Sequence, residues 1–556
     1  MTFIQIVPHV GNLFQADRVL QGFLRQHVPE DVLAGITPSL EEMGGLAATH
    51  LAELAQRFRK SEPELIPYDP WGKRIDQVLV SPAWLEFAKI AATHGVVATA
   101  YERKSGEYSR LHQFSLAYLF ERSTHTYNCP LAMTDGACAT LLAHGNKVLI
   151  DRAVPHLTSR DPKTMWTSGQ WMTERTGGSD VGISETIAKH SSDGWRLFGT
   201  KWFTSATTSD VALTLARPEG NPDGGKGLAL FYLEQRLPDG QLNGIKILRL
   251  KEKLGTRMLP TAELELNGTF AIPVAGLGDG VRNITPMLNI TRTWNSVSAV
   301  AGLRYGLALA QNFANVRVAF GAPLSQKPLH LDTLASVAAE LEAATHLTFT
   351  MVHLLGKEEA GTISDSERAA LRLLHPLCKL WTAKVAVSGA SEVLEAFGGA
   401  GYIEDTGLPQ ILRDAQVLSI WEGTTNVLSL DSFRAIQKEA ALEPYLELIS
   451  KKTEAVLPRL RVAAQAARDS ANHAATWYQS TATLGAPFLE AGARRFALTL
   501  ARSLALALLC NHATWAENHL HDPRPTVAAL RFFSHGVDLV DDRLQNLNEI
   551  SQLALG

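Results

Sequence analysis

The sequence predicts a mostly α-helical protein built around a central antiparallel β domain, with an additional helical region after it. Three observations carry this reading. Before about residue 150 and again after about 280, apolar residues recur at the three-to-four spacing of amphipathic helices. Between about 166 and 275 that spacing gives way to alternation and turn residues. The chain has 556 residues, enough for three to four domains at roughly 150 residues each.

Taken in order, residues 1–165 read as a helical domain, with Leu46, Leu51, Leu54, Ala55 and Phe58 on one periodic face. Pro63, Pro67 and Pro70 interrupt it, and Tyr68-Asp-Pro-Trp71 reads as an ordered loop. Residues 166–278 read as a β-barrel-like domain. Ser192-Asp193-Gly194 before Trp195-Arg-Leu-Phe198 is a hairpin signal, and Ala262-Glu-Leu-Glu-Leu266 alternates cleanly. Residues 279–437 read as a helical bundle. Leu329 to Leu355 is one long helical pattern, and Ser364-Asp-Ser-Glu367 is a capping box opening the next. That helix is expected to kink at Pro376 and to stop at Gly398-Gly399. Residues 438–556 read as an extra helical domain, broken at Pro458, Pro487 and Pro523–Pro525. Its Leu498, Leu500, Leu504, Leu506 and Leu508 spread over more than one face, which predicts a helix buried on several sides.

Composition narrows the function classes. Hydrophobic residues are 46% and charged residues 19%, so a large core is available and disorder is not expected. Lys+Arg total 52 against 56 Asp+Glu, a net charge of −4, which argues against a general polyanion binder. Cys129, Cys138, Cys378 and Cys510 are too few and scattered for a disulfide framework or a cysteine zinc site. No metal is expected at His512, His519 and His521 either, because only His512 and His519 share a helical face. Met1 to Val10 lacks a signal-peptide pattern, the final Leu-Ala-Leu-Gly is not a peroxisomal address, and Leu498 to Cys510 is shorter than the about 18–20 residues of a span. A cytoplasmic protein without a membrane segment is the expectation.

Residues that bear chemistry fall in three clusters. In Trp171-Met-Thr-Glu-Arg-Thr-Gly-Gly-Ser-Asp180, Gly177-Gly178 permits close backbone approach to a ligand, and Ser179 with loop N–H groups suits a diphosphate. Alone, the loop also reads as an ordinary turn. In Lys201-Trp-Phe-Thr-Ser205, Trp202 suits a planar ring with Thr204 as a polar handle, or simply a core strand. In Ile420-Trp-Glu-Gly-Thr-Thr-Asn426, Glu422 sits among apolar residues, where burial raises a carboxyl pKa toward that of a general base. A helix-terminal Glu paired with a nearby Arg reads equally well from that segment.

Together with Arg317-Val-Ala-Phe-Gly321 and Phe397-Gly-Gly-Ala-Gly401, these clusters resemble the signatures of the acyl-CoA dehydrogenase family over about residues 30 to 435. Pro67-Tyr-Asp-Pro-Trp-Gly-Lys-Arg-Ile-Asp76, Cys129-Pro-Leu-Ala-Met-Thr134, Leu237-Pro-Asp-Gly240, Gln326-Lys-Pro-Leu329 and the C-terminal helical surplus resemble its AidB-like branch. The resemblance implies FAD at a site shared by two subunits of a homotetramer. It implies that Thr173 meets the flavin pyrimidine edge, Gly178 and Ser179 the diphosphate, Trp202 the isoalloxazine and Thr204 its polar edge. Arg317, Phe320, Glu395 and Gly399 would reach a neighbouring subunit's FAD, Gly399 at a close approach that only glycine permits. Thr424 and Asn426 would lie by the adenosine. Glu422 would be the base that removes the α-proton of an acyl-CoA while hydride passes to flavin N5, with Arg292 as a neighbour that tunes it. Glu395 departs from the family's usual Gln, and Lys327-Pro328 from a usual His-Gln pair.

The resemblance thus implies a flavoprotein oxidoreductase of fatty acid metabolism, with acyl-CoA as substrate and an electron-transfer flavoprotein or oxygen as acceptor. Two other readings compete. One is a weakly catalytic, DNA-binding stress protein, as the AidB-like branch includes; the other is an acyl-CoA-sequestering regulator. Residues 438–556 hold 12 Lys+Arg and 12 Asp+Glu, a balance of zero, which does not favour nucleic acid as a partner.

Overall fold

The alternating stretch folds as a seven-stranded sheet, and the periodic stretches before and after it fold as helices. The computed structural model describes residues 6–124, 126–542 and 546–556. They form two units, one of Thr49–Lys104 and Ser123–Trp294, the other of Met1–Ala48, Ser105–Arg122 and Asn295–Gly556.

The first unit contains the β structure. β1 (Glu64–Tyr68) and β2 (Arg74–Leu79) pair as an antiparallel hairpin. The segment expected as a loop, Tyr68-Asp-Pro-Trp71, is its turn region, where Asp69 Oδ1 accepts from the N–H groups of Trp71 and Lys73, each at 2.9 Å. The helical reading of residues 30–150 missed both strands because Pro63 and Pro67 look like breakers. Proline is tolerated at strand starts and edges, and a two-stranded hairpin consists of edges.

The sheet comprises β3 (Ser168–Trp171), β4 (Ile187–Ser191), β5 (Gly194–Ser205), β6 (Val211–Pro218), β7 (Ala229–Glu234), β8 (Ile245–Leu250) and β9 (Thr261–Pro273). β6 pairs with β7, β7 with β9, β9 with β5, β5 with β4 and β4 with β6, which closes a barrel-like ring. β3 flanks β6, and β8 flanks β9. Most pairings are antiparallel as expected, but β3 and β4 both run parallel to β6. Parallel pairs require crossover connections, which alternation along a sequence does not reveal. The ring closes over Trp171, Leu197, Phe231 and Leu264, all buried. Each such side chain contributes about 1.5–3 kcal/mol through burial.

The second unit is helical. Ser364 and Glu367 form the expected reciprocal capping box, and the helix Asp365–Ala396 runs on through Pro376 to end at Phe397 and Gly398. It packs against Pro328–Ala360. Beyond Thr425–Glu439, the extension supplies Leu442–Thr453, Arg461–Ala482, Ala486–Leu520, Arg524–Ser534 and Leu547–Leu555. Ala486–Leu520 is apolar enough by length and composition to cross a membrane, yet 83% of its most apolar window is buried inside the protein. Arginines fasten the extension to the Pro328–Ala360 helix. Arg502 grips Glu340 through two bonds of 3.0 Å, Arg524 grips Glu342 at 2.6 and 3.0 Å, and Arg531 reaches Asp332 at 2.7 Å. Bidentate guanidinium–carboxylate pairing fixes orientation as well as distance, so the extension is docked in one register.

The same junction carries a pH liability. His346 and His512 lie with ring centroids 4.3 Å apart, and His27 stacks on Phe23 while its edge meets His353. Burial lowers all four, with nearby Lys452 or Arg524 adding to the effect: His27 to about 3, His353 and His512 to about 4, and His346 well below its ordinary value. Neutral imidazoles are thus what the fold accepts. Below about pH 6.5 the unfolded chain takes up protons that the folded unit refuses until about pH 4. Stability should therefore be full above pH 6.5 and fall as the pH drops through that window, by up to about 1.4 kcal/mol per pH unit for each imidazole. Urea midpoints measured between pH 7 and 5 test this. His346→Leu should flatten the dependence, and an unchanged slope would remove His346 from it.

Candidate functional site

In the first unit, the loop after β3 and the end of β5 are fastened to each other by one buried ion pair. Lys201, fully buried on β5, donates to Glu174 Oε1 at 2.7 Å and to the Leu215 carbonyl at 2.7 Å. Glu174 also accepts from the Glu185 N–H at 2.6 Å, the Thr186 N–H at 3.2 Å and the Thr186 hydroxyl at 2.6 Å. The carboxylate thereby ties both ends of the Gly-Gly-Ser-Asp loop to the barrel. The Trp202 N–H donates to the Thr173 carbonyl at 2.8 Å, so these two predicted residues are neighbours. A Cβ on Gly178 would fall 2.5 Å from Thr173 Oγ1, so the loop closes on Thr173 only because residue 178 has no side chain. Gly178 and Ser179 are exposed.

The β5–β9 register slips between Lys201 and Thr204, where Phe203 takes φ +39° and turns outward. A shift of one residue redirects side chains to the opposite face. It leaves Trp202 half-buried instead of in the core, with the Lys251 ammonium 3.5 Å from its ring centroid. Thr204 is buried, and its hydroxyl donates to the Ala262 carbonyl at 2.7 Å. Arg292 is half-buried on the helix Thr285–Val316. Asp135 steadies the third turn of that helix, accepting from Trp294 Nε1 at 2.7 Å and from the Tyr101 hydroxyl at 2.6 Å.

In the second unit, Glu422 occupies a sharp turn. It has φ +58° and the following Gly423 has φ +105°. Two successive left-handed residues deliver the chain from Trp421 to Thr424, which caps the helix Thr425–Glu439. The turn is pinned from behind: Lys379, fully buried on Asp365–Ala396, donates to the Gly423 carbonyl at 2.6 Å. Glu422 is half-buried, while Thr424 and Asn426 are exposed.

The Arg317 segment is a small hairpin of β10 (Val318–Ala319) and β11 (Ala322–Pro323), with Phe320 and Gly321 at its tip. Phe320 has φ +49° and is 96% exposed. Glu395 is exposed in the last turn of Asp365–Ala396. Nothing among the described residues crowds Gly399, whereas a Cβ on Gly401 would lie 2.0 Å from the Leu394 carbonyl oxygen. The glycine that the local fold requires is Gly401, where the chain turns back on the preceding helix.

Thr173, Gly178, Ser179, Trp202, Thr204 and Arg292 thus share one unit, and Arg317, Phe320, Glu395, Gly399, Glu422, Thr424 and Asn426 the other. Sequence reasoning gave no role to Glu174, Lys201 or Lys379. The available signal was a lysine inside the apolar run Leu377-Cys-Lys-Leu-Trp381, since a buried charge is costly unless partnered.

Family models match consecutive parts of the chain. Residues 7–162 match the adaptive response protein AidB N-terminal domain, and 169–269 the acyl-CoA dehydrogenase middle domain. Residues 278–437 match the acyl-CoA dehydrogenase C-terminal domain, and 440–552 the acyl-CoA dehydrogenase 11 C-terminal domain-like model. Acyl-CoA dehydrogenase family member 11 of Caenorhabditis elegans is 41% identical over 529 residues, spanning 92% of this chain and 86% of that protein. The putative acyl-CoA dehydrogenase AidB of Escherichia coli is 34% identical over 457 residues, spanning 79% and 81%. The crystal structure of C. elegans ACDH-11 in complex with C11-CoA superposes with a TM-score of 0.95 at 38% identity, over 100% of this chain and 96% of that one.

Proposed function

This chain belongs to the acyl-CoA dehydrogenase family, and from that premise we propose that it oxidises an acyl-CoA thioester to its α,β-enoyl form with Glu422 as the base. The observation that carries the reading is the Glu422–Gly423 turn, pinned by a buried lysine and holding a carboxylate at a backbone angle that costs a non-glycine residue energy. Strained backbone of this kind concentrates at functional sites, and here it presents a carboxylate.

The residues present fit FAD. The side-chain-free cradle of Gly178 against Thr173, with the exposed Ser179 beside it, admits a diphosphate, and Trp202 offers a ring that is not consumed by the core. Thr173, Gly178, Ser179, Trp202 and Thr204 would hold it, with Thr424 and Asn426 at the adenosine. Arg317, Phe320, Glu395 and Gly399 would meet the FAD of a second copy, for which the outward Phe320 is suited. Bound FAD supplies the acceptor for the substrate's hydride. Glu422 takes the α-proton, with Arg292 as a tuning cation, and an electron-transfer flavoprotein is the proposed onward acceptor. The C. elegans relative solved with C11-CoA supports a medium-length acyl-CoA as ligand.

Anaerobic titration of the FAD-loaded protein with acyl-CoAs of graded length should bleach the flavin absorbance. Saturable binding without bleaching would instead favour sequestration. The DNA-binding reading is weakened by the fate of four of the extension's twelve cations: Arg502, Arg524, Arg531 and Arg459 are already paired with carboxylates of the same unit. Phosphate neutralisation requires free cations and shows as a steep fall of affinity with salt.

A further inference from the structure

The first unit contains a cavity of about 500 Å³ at the end of the barrel beside β2, lined in part by Thr207, Thr208 and Ser209, which follow the Lys201–Ser205 motif in the chain. Asp76, Ser209 and Gln235 line it, and their residues are 2%, 3% and 7% exposed. Asp76 Oδ1, Ser209 Oγ and Gln235 Nε2 are buried with no hydrogen-bond partner among the described residues. Buried polar atoms are normally satisfied, by protein or by something bound.

The local fold holds these residues by their other groups. Asp76, at φ +42°, uses Oδ2 to accept from Arg74 Nε at 2.8 Å and from the Ile247 N–H at 3.0 Å, leaving Oδ1 over. The backbone of Gln235 bonds to Asp210 and Asn243, each at 2.9 Å, which leaves its amide nitrogen over. The Ser209 N–H donates to the Ala206 carbonyl at 2.9 Å, and its hydroxyl is left over. A carboxylate acceptor, an amide donor and a hydroxyl of either role are thus presented by rigid backbone.

Charge and shape limit what fits. Arg74 cancels Asp76, Arg152 cancels Glu234 through bonds of 2.8 and 2.9 Å, and the other two charged lining residues, Asp210 and Arg236, are of opposite sign, so the lining asks for no net charge. Trp166 is already engaged by its own neighbours, with the His156 ring stacked on it at 4.1 Å and the Arg152 guanidinium 4.7 Å from its centroid. A hydroxyl group donates and accepts at once. It can give its proton to Asp76 Oδ1 while accepting from Gln235 Nε2, which an ammonium or a carboxylate cannot do. The volume lies within the roughly 300–1,000 Å³ usual for small-molecule sites.

We propose that this cavity binds a small neutral polyhydroxylated molecule, of polyol or monosaccharide class, through Asp76, Ser209 and Gln235. The site is independent of the acyl-CoA reading and stands or falls separately.

The test is calorimetric titration of the full FAD-loaded chain with glycerol, myo-inositol, ribose and glucose. At least one should bind saturably at one site per chain. Gln235→Leu with Ser209→Ala should weaken it by roughly tenfold or more, as expected when buried hydrogen bonds are lost. Leu242→Trp, which fills the cavity and removes no polar atom, should abolish binding while flavin bleaching by acyl-CoA stays unchanged. Absence of saturable binding by all four probes would mean that water alone meets these atoms, and equal affinity in the variants would place the ligand elsewhere. Either result overturns the proposal.

Discussion

Glu422→Gln is expected to slow anaerobic flavin reduction by acyl-CoA by roughly 10²–10⁴-fold, the range of a positioned general base. Glutamine keeps the volume, the backbone N–H and the left-handed turn, but it cannot take up a proton. Binding of FAD and of the thioester should therefore survive while the rate collapses. Glu422→Gly separates geometry from chemistry further. At φ +58° a non-glycine residue carries about 1–2 kcal/mol of strain, and glycine carries almost none. This variant should lose the same rate yet raise the stability of the helical unit by up to about 1 kcal/mol, since glycine also gains freedom when unfolded. Rate and stability moving in opposite directions at one position is the signature of a strained functional residue. Stopped-flow reduction and urea midpoints measured on the same preparations decide it. Undiminished reduction in the glutamine variant would remove Glu422 as the base.

The position of Glu422 was legible in the sequence because Trp421-Glu-Gly-Thr424 is a local motif, and the capping of the following helix by Thr424 is local too. Its support was not. Lys379 lies 44 residues earlier, and only tertiary packing brings its ammonium to the Gly423 carbonyl. The same division runs through the first unit. Glu174 and Lys201 each fall inside a motif that the sequence displays, yet a pairing across 27 residues depends on how β3 and β5 meet in the barrel. Alternation marked the strands, but the parallel partners of β6 and the ring closure are relations between strands and leave no trace in any one of them. The extension shows the limit most directly. A charge count of 12 against 12 is silent about which charges are spent. The structure spends Arg502, Arg524 and Arg531 on the neighbouring helix. The burial expected of Glu422 also came out only in part, since the turn leaves it half-buried.

Lys201→Met is expected to destabilise the β-domain unit by about 3–5 kcal/mol, because it strands the Glu174 carboxylate in a site where that residue is 2% exposed. Burial pushes the Glu174 carboxyl up, but the Lys201 ammonium with the Thr186 and Glu185 donors outweighs it, so the group titrates below the usual carboxylate range. A depressed folded-state value contributes stability that is complete above the unfolded carboxyl's value near 4.5 and is lost as the pH falls below it. The wild-type unit should therefore weaken on acidification below about pH 4.5 in a way that Glu174→Gln does not. The informative variant is the double one. Glu174→Leu with Lys201→Met replaces a buried ion pair by apolar groups of similar volume, which often restores stability. It cannot restore the bonds from Glu174 to Glu185 and Thr186 that hold both ends of the glycine loop. The double variant should thus unfold near the wild-type midpoint yet bind FAD at least tenfold more weakly, as measured by fluorescence of released flavin. A merely structural ion pair would let affinity recover together with stability, so wild-type FAD binding in the double variant would refute the positioning role.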